Sequence, residues 1–157
     1  MALMICAVLA NKAIAAKGED SSSGLTSSVL VAPEAGAANK NKENPEFILT
    51  NSGKAPVRIC GFHQIWRHES ASQILLIITS ESFKSDAPSE EQLKESIKIL
   101  EPGISFSIDL PSDLFNLNKH VQITYEVSEN FAKKFDIWQG KLHLNFGSGL
   151  HESSKQK

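Results

Sequence analysis

The chain has 157 residues, of which 41% are hydrophobic and 22% charged, with a formal net charge of -2 and a pI near 6.2. That is enough apolar residue for one globular domain with tails. The absence of a basic excess argues against nucleic acid as a partner, because phosphate contacts need clustered Lys and Arg.

Ala2 to Ala10 is an unbroken apolar run, too short to span a bilayer, and Ala-Ile-Ala-Ala follows at 13–16. Cleavage after Ala15 would place small residues at the two positions signal peptidase reads, so residues 1–15 are expected to be an export signal and the protein periplasmic or extracellular, the alternative being a cytoplasmic protein with a frayed apolar N-terminus. No Lys or Arg precedes the run, which departs from the usual basic start of such signals. Cys6 follows Ile5, which excludes a lipobox. Removal of the signal leaves Cys60 as the sole cysteine, so the expected stability comes from a core and not from a disulfide. No stable transmembrane segment is expected.

Residues 16–45 are read as a linker, Ser/Gly-rich at first and then rich in Ala, Asn and Lys. Within it, Ser28–Ala32 is a short β-branched run closed by Pro33, expected as an edge strand. A β-sandwich domain is expected over 46–146. Phe47–Asn51 and Val57–Phe62 read as strands joined by the turn Asn51-Ser52-Gly53, with Pro56 fixing the re-entry. His63–Ser70 extends the second strand towards a loop. Gln73–Thr79 holds a continuous apolar run, as suits a strand covered on both faces or a strand with an edge twist. Ser80–Ser89 is polar, and one or two helical turns are expected near 88–96, starting at Asp86 or Ser89.

Ile97–Leu100 returns to β structure, and Glu101-Pro102-Gly103 turns the chain. Ile104, Phe106, Ile108 and Leu110 alternate with polar residues and predict a half-buried antiparallel strand. Leu114, Phe115 and Leu117 are expected to plug the loop that follows. Val121, Ile123, Tyr125 and Val127 point inward by the same alternation. Glu129–Asp136 is read as a polar connection, and Ile137–Phe146 as the last strand, with Gly140 marking a bulge. Residues 147–157 form a polar tail. The predicted class is all-β, an immunoglobulin-like antiparallel sandwich of seven or eight strands. The core is expected at Phe106, Ile108, Ile123, Tyr125, Leu142 and Leu144.

The Asn-Ser-Gly-Lys-Ala-Pro-Val turn at 51–57, the Leu-Glu-Pro-Gly at 100–103 and the Val-Gln-Ile-Thr-Tyr-Glu-Val at 121–127 resemble bacterial immunoglobulin-like β-sandwich proteins. Pro56-Val-Arg-Ile-Cys60 and Ile137-Trp-Gln-Gly140 resemble segments of small exported proteins of planctomycete-type bacteria. A weaker resemblance is to the intracellular proteinase inhibitor family of bacilli. The resemblance spans roughly 46–146 and implies the sandwich fold; it carries over no inhibitory residue.

No chemistry-bearing motif stands out. His63 and His68 around Trp66 lack the spacing of a zinc helix, and His120 and His143 could join them only if their strands lay side by side. No Gly-x-Ser-x-Gly occurs, Gly147-Ser-Gly149 lies in the polar tail, and Cys60 and His63 face opposite ways on a strand. No phosphate loop follows a strand, and both methionines fall in the signal segment. No catalytic residue, metal or cofactor is therefore assigned. Trp66, Phe131 and Trp138 are not all needed in one small core; they are the candidates for a binding surface, the alternative being a Trp that caps one end of the sandwich. The expected function is non-catalytic binding of an unidentified protein or cell-envelope component. The alternatives are a protease inhibitor presenting Ser80–Glu91 or Glu129–Asp136 as a loop and, from the enzyme class, a His-based metal hydrolase.

Overall fold

The computed structural model describes residues 14–19, 24–31, 44–81, 87–115 and 118–147. In chain order these residues form β1 (Ile14–Glu19), β2 (Leu25–Leu30), β3 (Glu46–Asn51), β4 (Val57–Cys60), β5 (Gln64–Glu69), β6 (Gln73–Thr79), α1 (Glu90–Glu95), β7 (Ile97–Leu100), β8 (Ser105–Asp109), β9 (His120–Val127), α2 (Glu129–Phe135) and β10 (Gly140–Phe146). The fold is all-β and sandwich-like, with ten strands among the described residues where seven or eight are expected from the sequence. The apolar run of the expected signal, Leu117, Asp86 and the tail from Ser148 lie outside the described residues.

One sheet has the order β1-β2-β3-β8, a second β10-β9-β6-β5, and β4 and β7 form a two-stranded ribbon. Period-two alternation turns one face of each sheet inward. Leu25, Val29, Phe47, Leu49 and Ile108 from the first meet Ile74, Leu76, Ile78, Val121, Ile123, Tyr125, Leu142 and Leu144 from the second in one core. The Phe47 and Tyr125 rings stack at 6.1 Å. Of the expected core, five residues are buried and Phe106 is half-buried against it. Ile104 is 52% exposed, because it stands in the turn before β8, where the strand has not yet reached the interior.

Several sequence expectations change. The segment expected as a linker holds two strands, and β2 lies between β1 and β3 instead of at an edge. Ser27 is buried in the middle of β2 and breaks its apolar signal. A cut after Ala15 would remove Ile14, the partner of Val29, from β1. Not every pair is antiparallel: β6 and β9 run parallel from Gln73↔His120 to Thr79↔Glu126. The chain between them, carrying α1, β7 and β8, supplies the long crossover a parallel pair requires.

Glu129–Asp136 is a helix and not an extended loop, since the Ser128 hydroxyl accepts from the Phe131 N–H at 3.3 Å and Asp136 ends α2 with a φ of 51°. The last strand starts at Gly140, not Ile137: the Trp138 N–H donates to the Arg58 carbonyl of β4 at 2.7 Å, which holds 137–139 outside β10. The β10 register against β9 runs unbroken from Gly140, so Gly140 marks no bulge.

Asn51 joins the first sheet to the ribbon. Its Nδ2 donates to the Leu100 carbonyl at 2.7 Å and to the Ala55 carbonyl at 2.8 Å, and its Oδ1 accepts from the Gly53 N–H at 2.9 Å. Gly24 closes on the same turn, its carbonyl accepting from the Ser52 and Gly53 N–H groups. With a φ of +69° and only 3.0 Å between the place of a Cβ and Gly53 Cα, this position admits no side chain without strain.

Ser89 caps α1 in a capping box with Gln92, as one of the two expected starts. Glu90 pairs with Lys94 at 2.9 Å and with Lys134 of α2 at 2.7 Å, tying the helices together. Lys134 first, then Lys94, holds the Glu90 carboxyl at about 2 against an ordinary 4.5. A depressed carboxyl contributes stability above its unfolded value and loses it as pH falls through the folded one. Glu90→Gln is therefore expected to lower the melting temperature slightly at pH 7. The deficit should shrink between 4.5 and about 2, and should also shrink in high salt. A melting difference that persists unchanged at pH 2 would show that the carboxylate charge is not what links the helices.

Candidate functional site

The two sheets present different outer faces. That of the first carries Ile48 and Leu30 singly among Thr26, Ser28, Thr50, Ser105, Ser107 and Asp109. Thr50 and Ser105 hydroxyls meet there at 2.8 Å. The second sheet is different because β6 is apolar on both sides. Ile74, Leu76 and Ile78 enter the core, while Leu75 and Ile77 lie half-buried on the outer face.

Register sets that outer face in three rows from β10 to β5. One is Lys141, Glu126, Thr79 and Gln64; the next is His143, Thr124, Ile77 and Trp66; the third is Asn145, Gln122, Leu75 and His68. Trp66 is 40% exposed, the only exposed aromatic ring among the large exposed hydrophobic residues described. The Thr124 hydroxyl and His143 Nδ1 hydrogen-bond at 3.0 Å, and Gln73 donates to Gln122 Oε1 at 3.3 Å. Lys141 pairs with Glu126 at 2.9 Å, so the charges of this face cancel at one corner.

The other side of β5 is charged. Arg67 Nη1 bonds both Asp113 oxygens at 3.0 Å, Arg67 Nη2 meets Glu69 at 2.8 Å, and Lys119 meets Glu69 at 2.6 Å. Lys119 is the foremost cause holding the Glu69 carboxyl below its ordinary range. This network anchors β5 to the 110–119 loop, where Leu114 is buried and Phe115 packs edge-on against Phe146 at 5.4 Å. It fixes the strand that presents Trp66. Charges turned inward at a sheet edge also discourage indiscriminate strand addition.

Of the three aromatics singled out from sequence, only Trp66 stands in an exposed position. Trp138 is 8% exposed and stacks on Tyr125 at 5.6 Å, so it belongs to the core. Phe131 is half-buried, packed on the core and tilted against Phe135 at 4.7 Å. Burial raises the Tyr125 phenol far above its ordinary value, which leaves it neutral throughout the usual pH range.

The histidines do not converge. His68, His120 and His143 share the outer face, but on three different strands with different row partners; His63 packs edge-on against Phe106 at 6.4 Å. Among the described residues, no group of three or more His, Cys, Asp or Glu is placed to hold a metal ion. Cys60 is buried, with Sγ 3.3 Å from Ser96 Oγ. No described helix is long and apolar enough to cross a membrane. Of the polar members, His143 is weighed in the sequence only as a metal ligand, and Gln122, Thr124 and Asn145 are not singled out there. Their signal is the outward half of the alternation in β9 and β10, visible only once the core half is assigned. Comparison with family models, curated proteins and solved structures finds no match to this chain.

Proposed function

We propose that this chain is an exported, non-catalytic, immunoglobulin-like module that binds a protein or cell-envelope component through the outer face of the second sheet. The observation that carries this reading is the partly exposed Trp66 beside Leu75 and Ile77 on a sheet face, held in place by the Arg67-Glu69-Lys119-Asp113 network behind it. An aromatic residue on an otherwise mixed surface is the kind of anchor that dominates binding energy. The helix at Glu129–Phe135 counts against one of the two segments that an inhibitor could present as its loop. Export is supported by the apolar run at Ala2–Ala10 and the Ala-Ile-Ala motif after it.

In its own host the protein is expected in the envelope or extracellular fraction, starting at Ala16. The purified protein should co-sediment saturably with envelope material, and Trp66→Ala should weaken this at least about tenfold while leaving the melting temperature nearly unchanged. Equal co-sedimentation of wild type and variant would remove the outer face from the reading. An intact Met1 on cytoplasmic protein would remove export.

A further inference from the structure

Resting on that binding-module reading, we infer that the outer face of the second sheet is a site for a neutral oligosaccharide chain, laid across the strands from β5 to β10. The face combines what a sugar ring needs. A pyranose has a C–H face that packs on an aromatic plane and a rim of hydroxyls that both donate and accept hydrogen bonds. Trp66 at β5 supplies an amphipathic ring, 40% exposed. Gln122 and Asn145 supply amides and His143 and His68 supply ring nitrogens, while Thr124, only 6% exposed, is spent on its bond to His143. They stand in rows, so the groups succeed one another at strand spacing over roughly 14 Å from β5 to β10, the reach of a short oligosaccharide. Leu75 and Ile77 make an apolar floor between the aromatic end and the polar end.

Charge selects this occupant over others. The single cation in the three rows, Lys141, is neutralised by Glu126 at 2.9 Å. A polyanion would find no unpaired cation in these rows. An acyl or wholly apolar partner would bury amides and imidazoles without replacing their hydrogen bonds to water. A hydroxyl-rich uncharged chain replaces them. The Thr124 hydroxyl holds the His143 ring by Nδ1 at 3.0 Å, so the ring nitrogen that meets a ligand is Nε2 on this exposed side chain.

The test is titration of the full chain with cellohexaose, chitohexaose and mannohexaose, followed by calorimetry and by Trp fluorescence. At least one hexasaccharide should bind and change the Trp emission. Trp66→Ala should weaken it at least about tenfold and Trp66→Phe less, while Gln122→Ala and Asn145→Ala should each weaken it several-fold. Ser107→Ala, on the other sheet's outer face, should leave it unchanged. Circular dichroism and melting of each variant separate lost binding from lost folding. No binding to any hexasaccharide overturns the inference, as does binding that survives both Trp66→Ala and Gln122→Ala. Trp66-dependent dimerisation in sedimentation equilibrium with no sugar binding also overturns it and makes a second copy the occupant. If the sugars fail while Trp66-dependent co-sedimentation with envelope material persists, the glycan assignment falls and the binding-module reading stands.

Discussion

Replacing Asn51 with Ala is expected to lower the unfolding free energy by about 2–4 kcal/mol in urea denaturation, a large effect for one polar side chain. Asn51 is fully buried, and its amide makes three hydrogen bonds to the main chain. Two of those partners, Ala55 and Gly53, lie where water reaches and can replace the bond. The Leu100 carbonyl cannot be so rescued, because its bond at 2.7 Å is buried. Asn51→Asp sharpens the test. A carboxylate is acceptor-only and would face two carbonyl oxygens, so at pH 7 it should cost at least as much as Ala. Burial beside those oxygens raises the carboxyl's folded pKa, so part of the loss should return as pH falls and a proton restores one donor. Ser52→Ala, which removes an exposed hydroxyl bond to the Gly24 carbonyl, should be nearly neutral. A loss below about 1 kcal/mol for Asn51→Ala would mean that the joint between sheet and ribbon does not depend on this amide.

The same residue marks how far the sequence could be read. Asn51-Ser-Gly was legible as a turn because local φ/ψ demands select those residues. That the Asn51 amide reaches Leu100, across 49 positions, was not legible, because nothing local encodes the partner. Period-two alternation located β8, β9 and the core half of β10 for the same local reason. It put the strand of β2 at Ser28–Ala32 instead of Leu25–Leu30, because the buried Ser27 interrupts the apolar series, and it put Ile137–Gln139 into β10, where they instead follow the capped end of α2. The continuous apolar run of β6 was read as a strand covered on both faces, and one face proves half-open. The parallel β6–β9 pair could not be inferred, since either direction satisfies the same inward residues.

For the site, aromatic surplus was a sound signal that there is an outward ring, but it could not say which. Trp66 and Trp138 sit in equally amphipathic contexts in sequence. Their fates separate only through α2 and the Trp138–Arg58 backbone bond, which fold Trp138 onto Tyr125. The outward rows of β9 and β10 carry no assignment in the sequence beyond His120 and His143, weighed as metal ligands. Their regular placement beside Trp66 is a property of strand order, and strand order is a long-range choice.

The largest effect of a core substitution is expected at Ile123, where Ala should cost about 2–4 kcal/mol by loss of transfer free energy and by the cavity left behind. Ile123 is wholly buried on β9, which lies between β6 and β10; its ladder partners are Leu76 on the parallel side and Leu144 on the antiparallel side. Neither neighbour can collapse into the gap without shifting a hydrogen-bonded strand, so little of the cavity closes. Ile123→Val, which removes one methylene, should cost about 0.5–1.5 kcal/mol. The adjacent Thr124 points to the opposite face, where Thr124→Ala loses one part-buried hydrogen bond to His143 and leaves no hole in the core. The order Ile123→Ala, then Ile123→Val, should appear in denaturant midpoints at constant slope. A change below about half a kcal/mol for Ile123→Ala would place that side chain outside the core. By the two-residue repeat of a strand, it would also turn Thr124 and Gln122 inward and dissolve the outer face on which the binding site rests.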